Sequence, residues 1–336
     1  MSQVVEKVAS TGSAPTPSLL SWLRLCRAPN VFTALADVSM GFLVARRALD
    51  EIGVFACLAG ASACLYTAGM VLNDVFDVEI DRMERPFRPL PSGQIGVTTA
   101  RVFGFGLLLV GMILGAIAGY AAVAKESVPA VPWRSGAIAL LLAGSVLIYD
   151  GFLKKTPLGP LGMGLCRFFN VLLGMSIAHF APGPSWLLYY QPIELLPAAG
   201  IGLYIVGVTW FAKGEAGRSP VLNLLGGMAV MIAGVALVGW WGSLIRAQQL
   251  NFGMNGIYSL WLLLAVMLVI GQRRCLEAVL NPEPPLVQVA VKQCIFSLIL
   301  LDATITVFGT GQPMLGLGVA LLIAPTMLLG RWVYST

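Results

Sequence analysis

Long apolar runs alternate with short polar connections along nearly the whole chain. Ten runs have helical length, at residues 31–49, 53–72, 101–123, 136–152, 161–181, 196–212, 221–245, 257–271, 287–309 and 313–332. Apolar stretches of this length with few charges predict membrane-spanning helices. The expected fold class is therefore an all-α polytopic membrane protein, a bundle of nine to ten transmembrane helices. The count turns on Gly309-Thr310-Gly311-Gln312-Pro313, which reads as a turn or as a kink. Residues 1–18 are polar and lack the apolar core of a signal peptide, so a disordered tail is expected there. A single transmembrane domain is expected over residues 19–336.

Composition agrees. Of 336 residues, 57% are hydrophobic and only 11% charged, with a mean hydropathy of +0.84; soluble domains are about a quarter charged. No room is left for a sizeable soluble domain. Sorting the 21 Lys and Arg residues by alternate connections leaves Arg46, Arg47, Lys125, Arg134 and Arg246 on one side and all the others on the opposite one. The positive-inside rule then puts both termini, and the connections after runs two, four, six and eight, in the cytoplasm. A bacterial inner membrane is the expected location. The net charge of +5 is thereby explained as topology, and no nucleic-acid partner is expected. The six cysteines form no CxxC pair, and His179 is the only histidine, so neither a zinc site nor a histidine-based triad can be built.

One stretch breaks the apolar pattern: NDVFDVEIDRMERPFRPLPSG, Asn73 to Gly93. Asp74, Asp77 and Asp81 stand at i, i+3 and i+7, on one face of a helix. Three carboxylates on one face at a membrane boundary repel one another and need compensation. A hard divalent cation provides it, and Mg²⁺ prefers a few carboxylates plus the oxygens of a phosphorylated substrate. Asn73 can add an oxygen, whereas Glu79 points elsewhere. Arg82, Arg85 and Arg88 follow, with Pro86, Pro89 and Pro91 ending the helix. Arginine forks match phosphate oxygens. Acids that hold a metal, followed at once by arginines, suit a diphosphate.

Asn73-Asp74-x-x-Asp77-x-x-x-Asp81, with Arg85-Pro86 and Pro91-Ser92-Gly93, resembles the first aspartate-rich motif of the UbiA superfamily of intramembrane prenyltransferases. Arg24-x-x-Arg27-x-Pro29-Asn30 is similar to that family's entry to its first span. Tyr149-Asp150-Gly151-Phe152-Leu153-Lys154-Lys155-Thr156 is similar to its Tyr/Lys motif after the fourth. The resemblance implies helices packed around a central cavity that opens sideways to lipid, an isoprenyl diphosphate donor, a small-molecule acceptor and Mg²⁺. It assigns metal binding to Asp74, Asp77 and Asp81 with Asn73 beside them. Arg27, Arg82, Arg85, Arg88, Lys154 and Lys155 are implied for the diphosphate, and Tyr149 for the carbocation. Asn30, Asn73 and Asp150 are expected to contact substrate. The family's second motif, usually DxxxD after the sixth span, is degenerate here: Lys213-Gly214-Glu215-Ala216-Gly217-Arg218. Either Glu215 ligates a metal with water, or Lys213 replaces one metal's charge. Arg218 joins the expected substrate contacts, and Glu215 or Asp150 is the candidate base.

The expected function is Mg²⁺-dependent transfer of an isoprenyl group, with release of diphosphate, to an acceptor that an aromatic ring would suit. The alternative is a transport protein that binds isoprenoids on the same fold without turnover. A CDP-alcohol phosphotransferase is excluded, because Asp150-Gly151 is followed by Phe-Leu-Lys-Lys. Asp37 and Asp302 lie inside apolar runs, where ionisable groups are rare; they read as structural partners or as an acceptor or proton-relay pair. Asp150 reads by spacing as a partner of Lys154 one turn on. Gly111, Gly115 and Gly119 predict a close helix contact. Trp186, Trp240, Trp241 and Trp332 read as interfacial. Phe168 and Phe169 are looser candidates for a π face, and Arg273 to Pro285 reads as a basic, proline-rich loop over the cavity mouth.

Overall fold

The computed structural model describes residues 17–125, 131–178, 187–214, 219–248, 254–331 and 333. Among these the regular structure is entirely helical. A short α1 (Leu19–Leu25) precedes α2 (Ala28–Arg46) and α3 (Ile52–Phe76). A second short helix, α4 (Val78–Glu84), leads into α5 (Val97–Lys125), α6 (Arg134–Gly151) and α7 (Gly159–Met175). Then come α8 (Pro192–Phe211), α9 (Val221–Gln248), α10 (Met254–Leu280), α11 (Pro284–Thr310), α12 (Pro313–Ala320) and α13 (Ile323–Leu329). Each apolar run thus has its helix. Seven are long and apolar enough to cross a membrane. α7 and α10 carry internal charges at Arg167, Arg273 and Arg274, and the last run is broken.

Boundaries follow local chemistry. Ser18 caps α1 through its side chain, and Gln191 with Glu194 forms a reciprocal capping box on α8. Proline opens α8, α11 and α12, where its missing N–H has no helical partner to lose. Gly311, at φ 75°, ends α11 in the left-handed region. Gly309–Pro313 is therefore a turn, and the final run is a separate segment. That segment splits after Ala320. Pro325 lacks an N–H, and its ring disfavours a helical carbonyl at Leu321. The predicted loop from Arg273 is corrected: Arg273 and Arg274 lie inside α10, which continues to Leu280.

Glycines set how closely the helices approach. A Cβ on Gly207 would lie 2.5 Å from the Met231 nitrogen, and one on Gly227 2.7 Å from the Phe211 nitrogen, so α8 and α9 touch backbone to backbone. Gly41 and Gly174 do the same between α2 and α7. Gly111 faces Leu65 of α3 and Gly115 faces Ala139 of α6, so the predicted small-residue face of α5 is a helix contact. Trp241, expected at the interface, is 2% exposed and packs on Gly309; Trp240 remains exposed, while His179, Trp186 and Trp332 lie outside the described residues.

Two cations counted as topology signals are corrected. Arg134 is 1% exposed, donating to the carbonyls of Ser176 and Ala178 beneath the Tyr190 ring. Arg167 is buried against Asp37. Most of the core is one continuous cluster. A second, smaller one joins Leu25, Val71, Val75, Val78, Leu90 and Ile95, seating the acid-rich segment beneath α1.

The glycine seam makes a direct prediction. Gly227→Leu should destabilise the protein by at least about 1–3 kcal/mol through overpacking. Gly144→Ala, where a Cβ meets nothing within 4 Å, should be neutral or slightly stabilising. Thermal unfolding in detergent, followed by circular dichroism, checks both; equal melting temperatures would contradict the close approach.

Candidate active site

α3 ends at Phe76, and Asp77 bends the chain, yet the backbone path stays helical. The Asp77 N–H donates to the Asn73 carbonyl at 3.0 Å, and the Asp81 N–H to that of Asp77 at 2.8 Å. The three aspartates therefore keep to one side. After α4, Pro86, Pro89 and Pro91 turn the chain back, and Leu90 and Ile95 anchor it in the small core. This return brings Arg88 onto Asp81 at 2.7 Å and Asp74 at 3.4 Å. Arg27, whose own backbone is left-handed (φ 44°, ψ 49°) where α1 turns into α2, reaches Asp74 at 3.3 Å. A non-glycine residue in that region is an uncommon, strained conformation, of the sort found at functional sites.

A cavity of about 360 Å³ opens beside this segment among α3, α6 and α7, with Arg27 reaching in from the turn before α2. On α3 its lining runs from Asp77 back to Leu65, about 18 Å of helix at 1.5 Å per residue. The mouth carries Arg27, Asn73, Asp77, Arg85, Asp150 and Lys154, with Tyr149 alongside. Lys154 donates to Asp77 Oδ2 at 2.7 Å, and Asn73 Nδ2 donates to Asp150 Oδ1 at 2.8 Å. Asp150 Oδ2 is buried without a hydrogen-bond partner. The walls are apolar, from Leu65, Met70, Leu142, Val146 and Met163, and the deep end is polar again, from Tyr66, Arg167 and Asn170.

The expected site residues divide accordingly. Arg27, Asn73, Asp77, Arg85, Tyr149, Asp150 and Lys154 line one cavity. Asp74 and Asp81 are buried just behind it, held by arginines. Asn30 is buried and hydrogen-bonds Tyr66. Four expectations are corrected. Arg82 points to solvent, paired with the exposed Glu79 at 2.7 Å. Lys155 and Lys213 are exposed and line no part of the cavity. Arg88 clamps carboxylates and is not a lining residue. Lys154 bonds Asp77 and not Asp150. Glu215 and Arg218 lie outside the described residues. Phe168 and Phe169 stack edge to face, 5.3 Å apart, and pack against the core, away from the cavity lining. Tyr66, Arg167 and Asn170 were missed as site residues. An arginine in the middle of an apolar run is itself a functional signal.

Among the described residues no three acidic, cysteine or histidine side chains gather closely enough to hold a metal by themselves. The donors at the mouth nonetheless suit Mg²⁺. Asp77, the Asn73 carbonyl and the unpartnered Asp150 Oδ2 are hard oxygens, and Mg²⁺ is ordinarily held by one or two carboxylates plus substrate phosphate oxygens. Of the expected aspartate triad, Asp77 lines the cavity and pairs with Lys154, while Asp74 and Asp81 lie behind it, paired with Arg27 and Arg88.

The model of the UbiA prenyltransferase family matches residues 34–277. The chain belongs to the UbiA prenyltransferase family. Digeranylgeranylglyceryl phosphate synthase of Ignicoccus hospitalis is 35% identical over 181 residues, 53% of this chain and 54% of that protein. The synthase of the same name from Saccharolobus solfataricus is 32% identical over 172 residues, 51% and 55% of the two chains. The chain thus matches about half the length of these curated relatives. A solved digeranylgeranylglyceryl phosphate synthase shares the fold with a TM-score of 0.56 at 19% identity, covering 87% of this chain and 98% of that one. A UbiA homologue from Archaeoglobus fulgidus bound to DMAPP and Mg²⁺ gives 0.52 at 15% identity, covering 89% and 99%. This UbiA-family chain is a multi-pass integral membrane protein.

The two kinds of arginine at the mouth are separable. Arg88→Ala leaves Asp74 and Asp81 buried beside one fewer cation and should destabilise the protein by about 3–5 kcal/mol. Arg82→Ala removes an exposed pair and should cost under about 1 kcal/mol. Paired melting curves check the difference; equal losses would contradict the clamp.

Proposed function

We propose that this UbiA-family protein transfers an isoprenyl group from an isoprenyl diphosphate to an acceptor within the membrane, releasing diphosphate. The single observation that carries this reading is the cavity: a charged mouth of Arg27, Asn73, Asp77, Arg85, Asp150 and Lys154 above apolar walls. An amphiphile with a polyanionic head and a hydrocarbon tail fits that gradient. The names of the relatives and the DMAPP- and Mg²⁺-bound homologue support it.

Cleavage of the allylic C–O bond sends the electron pair to the leaving diphosphate and leaves positive charge on the prenyl carbon. Arg27, Arg85 and Lys154 would hold the head group and strengthen their grip as its charge grows, which lowers the barrier. Mg²⁺, held by Asp77 with Asn73 and Asp150, would add positive charge against the same leaving group. The apolar walls exclude water from the cation, and Tyr149 offers its π face. The acceptor atom forms the new bond to carbon, and its proton passes to a base. Asp150 serves the metal in this reading, so Glu215, which lies outside the described residues, is the remaining candidate for that role.

The sidedness of the remaining cations supports a cytoplasmic mouth under the positive-inside rule. Removing Arg134 and Arg167 from the count takes one cation from each side and leaves the bias intact.

The test is reconstitution in lipid vesicles with radiolabelled geranyl diphosphate and Mg²⁺, following release of inorganic diphosphate in the presence of a lipid extract as acceptor source. Wild type should release it, EDTA should stop the release, and Arg27→Gln should slow it about 10²–10³-fold. Tight, Mg²⁺-dependent donor binding with no release would favour the carrier reading instead.

A further inference from the structure

α9, α10 and α11, which line no part of the cavity, carry an open groove of about 730 Å³ along α10. It reaches Ile232 of α9 on one side and Gln293 of α11 on the other. Its volume lies in the range of about 300–1,000 Å³ usual for small-molecule sites. The α10 lining changes character along the helix. Leu268, Val269 and Ile270 are apolar, and the last two are exposed. Gln272, Arg273 and Arg274 follow at once. The Arg273 and Arg274 side chains are 79% and 49% exposed, and both bond one carboxylate, Glu277, at 3.4 and 2.7 Å. Lys292, next to Gln293 on α11, is exposed as well.

The charge here is one-sided. Arg273, Arg274 and Lys292 stand against Glu277, three cations to one acid. Each guanidinium has five N–H donors, more than a shared carboxylate uses. Both arginines follow the apolar run of α10 on the side that the positive-inside rule gives to the cytoplasm. That is head-group depth, where each basic residue favours an anionic lipid about fivefold. The groove wall is also incompletely satisfied. Gln272 is 7% exposed, its Oε1 has no hydrogen-bond partner, and its Nε2 meets only the Met231 sulfur at 3.8 Å. Acyl chains supply no donor to such an oxygen, whereas the hydrated glycerol region of a phospholipid does.

We propose that this groove seats an anionic phospholipid, with its phosphate on Arg273 and Arg274 and an acyl chain along Ile232, Leu268 and Val269. The lipid braces α10, which packs mainly on α9 and α11. The site is separate from the charged mouth, since none of Arg27, Arg85 and Lys154 lines the groove. It rests on the membrane-spanning fold and not on prenyl transfer.

The experiment uses the full chain, delipidated in dodecyl maltoside and titrated with phosphatidylglycerol or phosphatidylcholine of identical acyl chains. Native mass spectrometry counts the lipid retained. The wild type should hold phosphatidylglycerol about 10–30-fold more tightly, two arginines at about fivefold each, and its melting temperature should rise with that lipid alone. This comparison needs no variant. R273Q/R274Q should lose both the preference and the rise. R82Q/K155Q, which removes two exposed cations elsewhere on the same side, should keep the preference within twofold. Excess inorganic phosphate, which has the head-group charge without the tail, should not displace the lipid. Equal retention of the two lipids overturns the proposal. So does a preference that survives R273Q/R274Q, as lipid held at the charged mouth would give, or one that R82Q/K155Q abolishes equally, as diffuse surface charge would give. Displacement by inorganic phosphate, or a dimer of the chain that forms through the same two arginines in place of a lipid adduct, overturns it too.

Discussion

A buried carboxylate in a membrane bundle is costly without a partner, and pairings with cations tie together the half of the molecule that holds the cavity. Asp74 joins the turn before α2 to the end of α3 through Arg27, and to the proline-rich return through Arg88. Asp77 reaches across to Lys154 after α6, and Asp37 of α2 takes Arg167 of α7. Each bond spans segments far apart in sequence. The glycine approach of α2 to α7 at Gly41 and Gly174 makes the last of them possible, because it brings the two helix backbones into contact. Remove the pairing and the carboxylates must find water, which the interior does not supply.

The same pairings separate two kinds of charge. Those that are fully engaged, Arg88 with Asp74 and Asp81, shape the mouth without entering it. Those at its surface, Arg27, Arg85 and Lys154, can exchange partners when a polyanion arrives. Lys154 is the sharpest case, since its bond to Asp77 competes directly with any metal cation at that carboxylate. Diphosphate and metal would relieve each other's competition there, the anion drawing Lys154 away as the metal takes its place on Asp77.

Much of this was legible in the sequence, and the failures have physical causes. The acid-rich stretch stands out because charge is scarce elsewhere, and its prolines announce the turn. The ten helices follow from apolar length. Helix adjacency does not, since helices that are apolar on every side give no direction to their neighbours. That is why Arg167 read as a topology signal, although its place deep in an apolar run was a clue. Asp150 and Lys154 looked like a one-turn pair, but α6 ends at Gly151 and Lys154 sits in a 3₁₀ turn, so helical spacing no longer applies. Arg82 directly follows Asp81, which puts it about 100° round α4 and hands it to Glu79 in solvent.

The charge balance of the mouth bears on how many cations a diphosphate needs. Counting formal charges at the mouth and directly behind it, Arg27, Arg85, Arg88 and Lys154 stand against Asp74, Asp77, Asp81 and Asp150, so cations and acids balance. A diphosphate ester brings roughly three negative charges near neutral pH, by extension from a phosphate monoester. One divalent cation would offset part of that charge, and a second would offset the rest. A paired-carboxylate motif after α8 would be needed to hold that second metal. Here the described part of that segment carries the exposed Lys213 and ends at Gly214, so it offers a further cation and no paired acids. The proposed reading therefore rests on the metal donors of the α3 side.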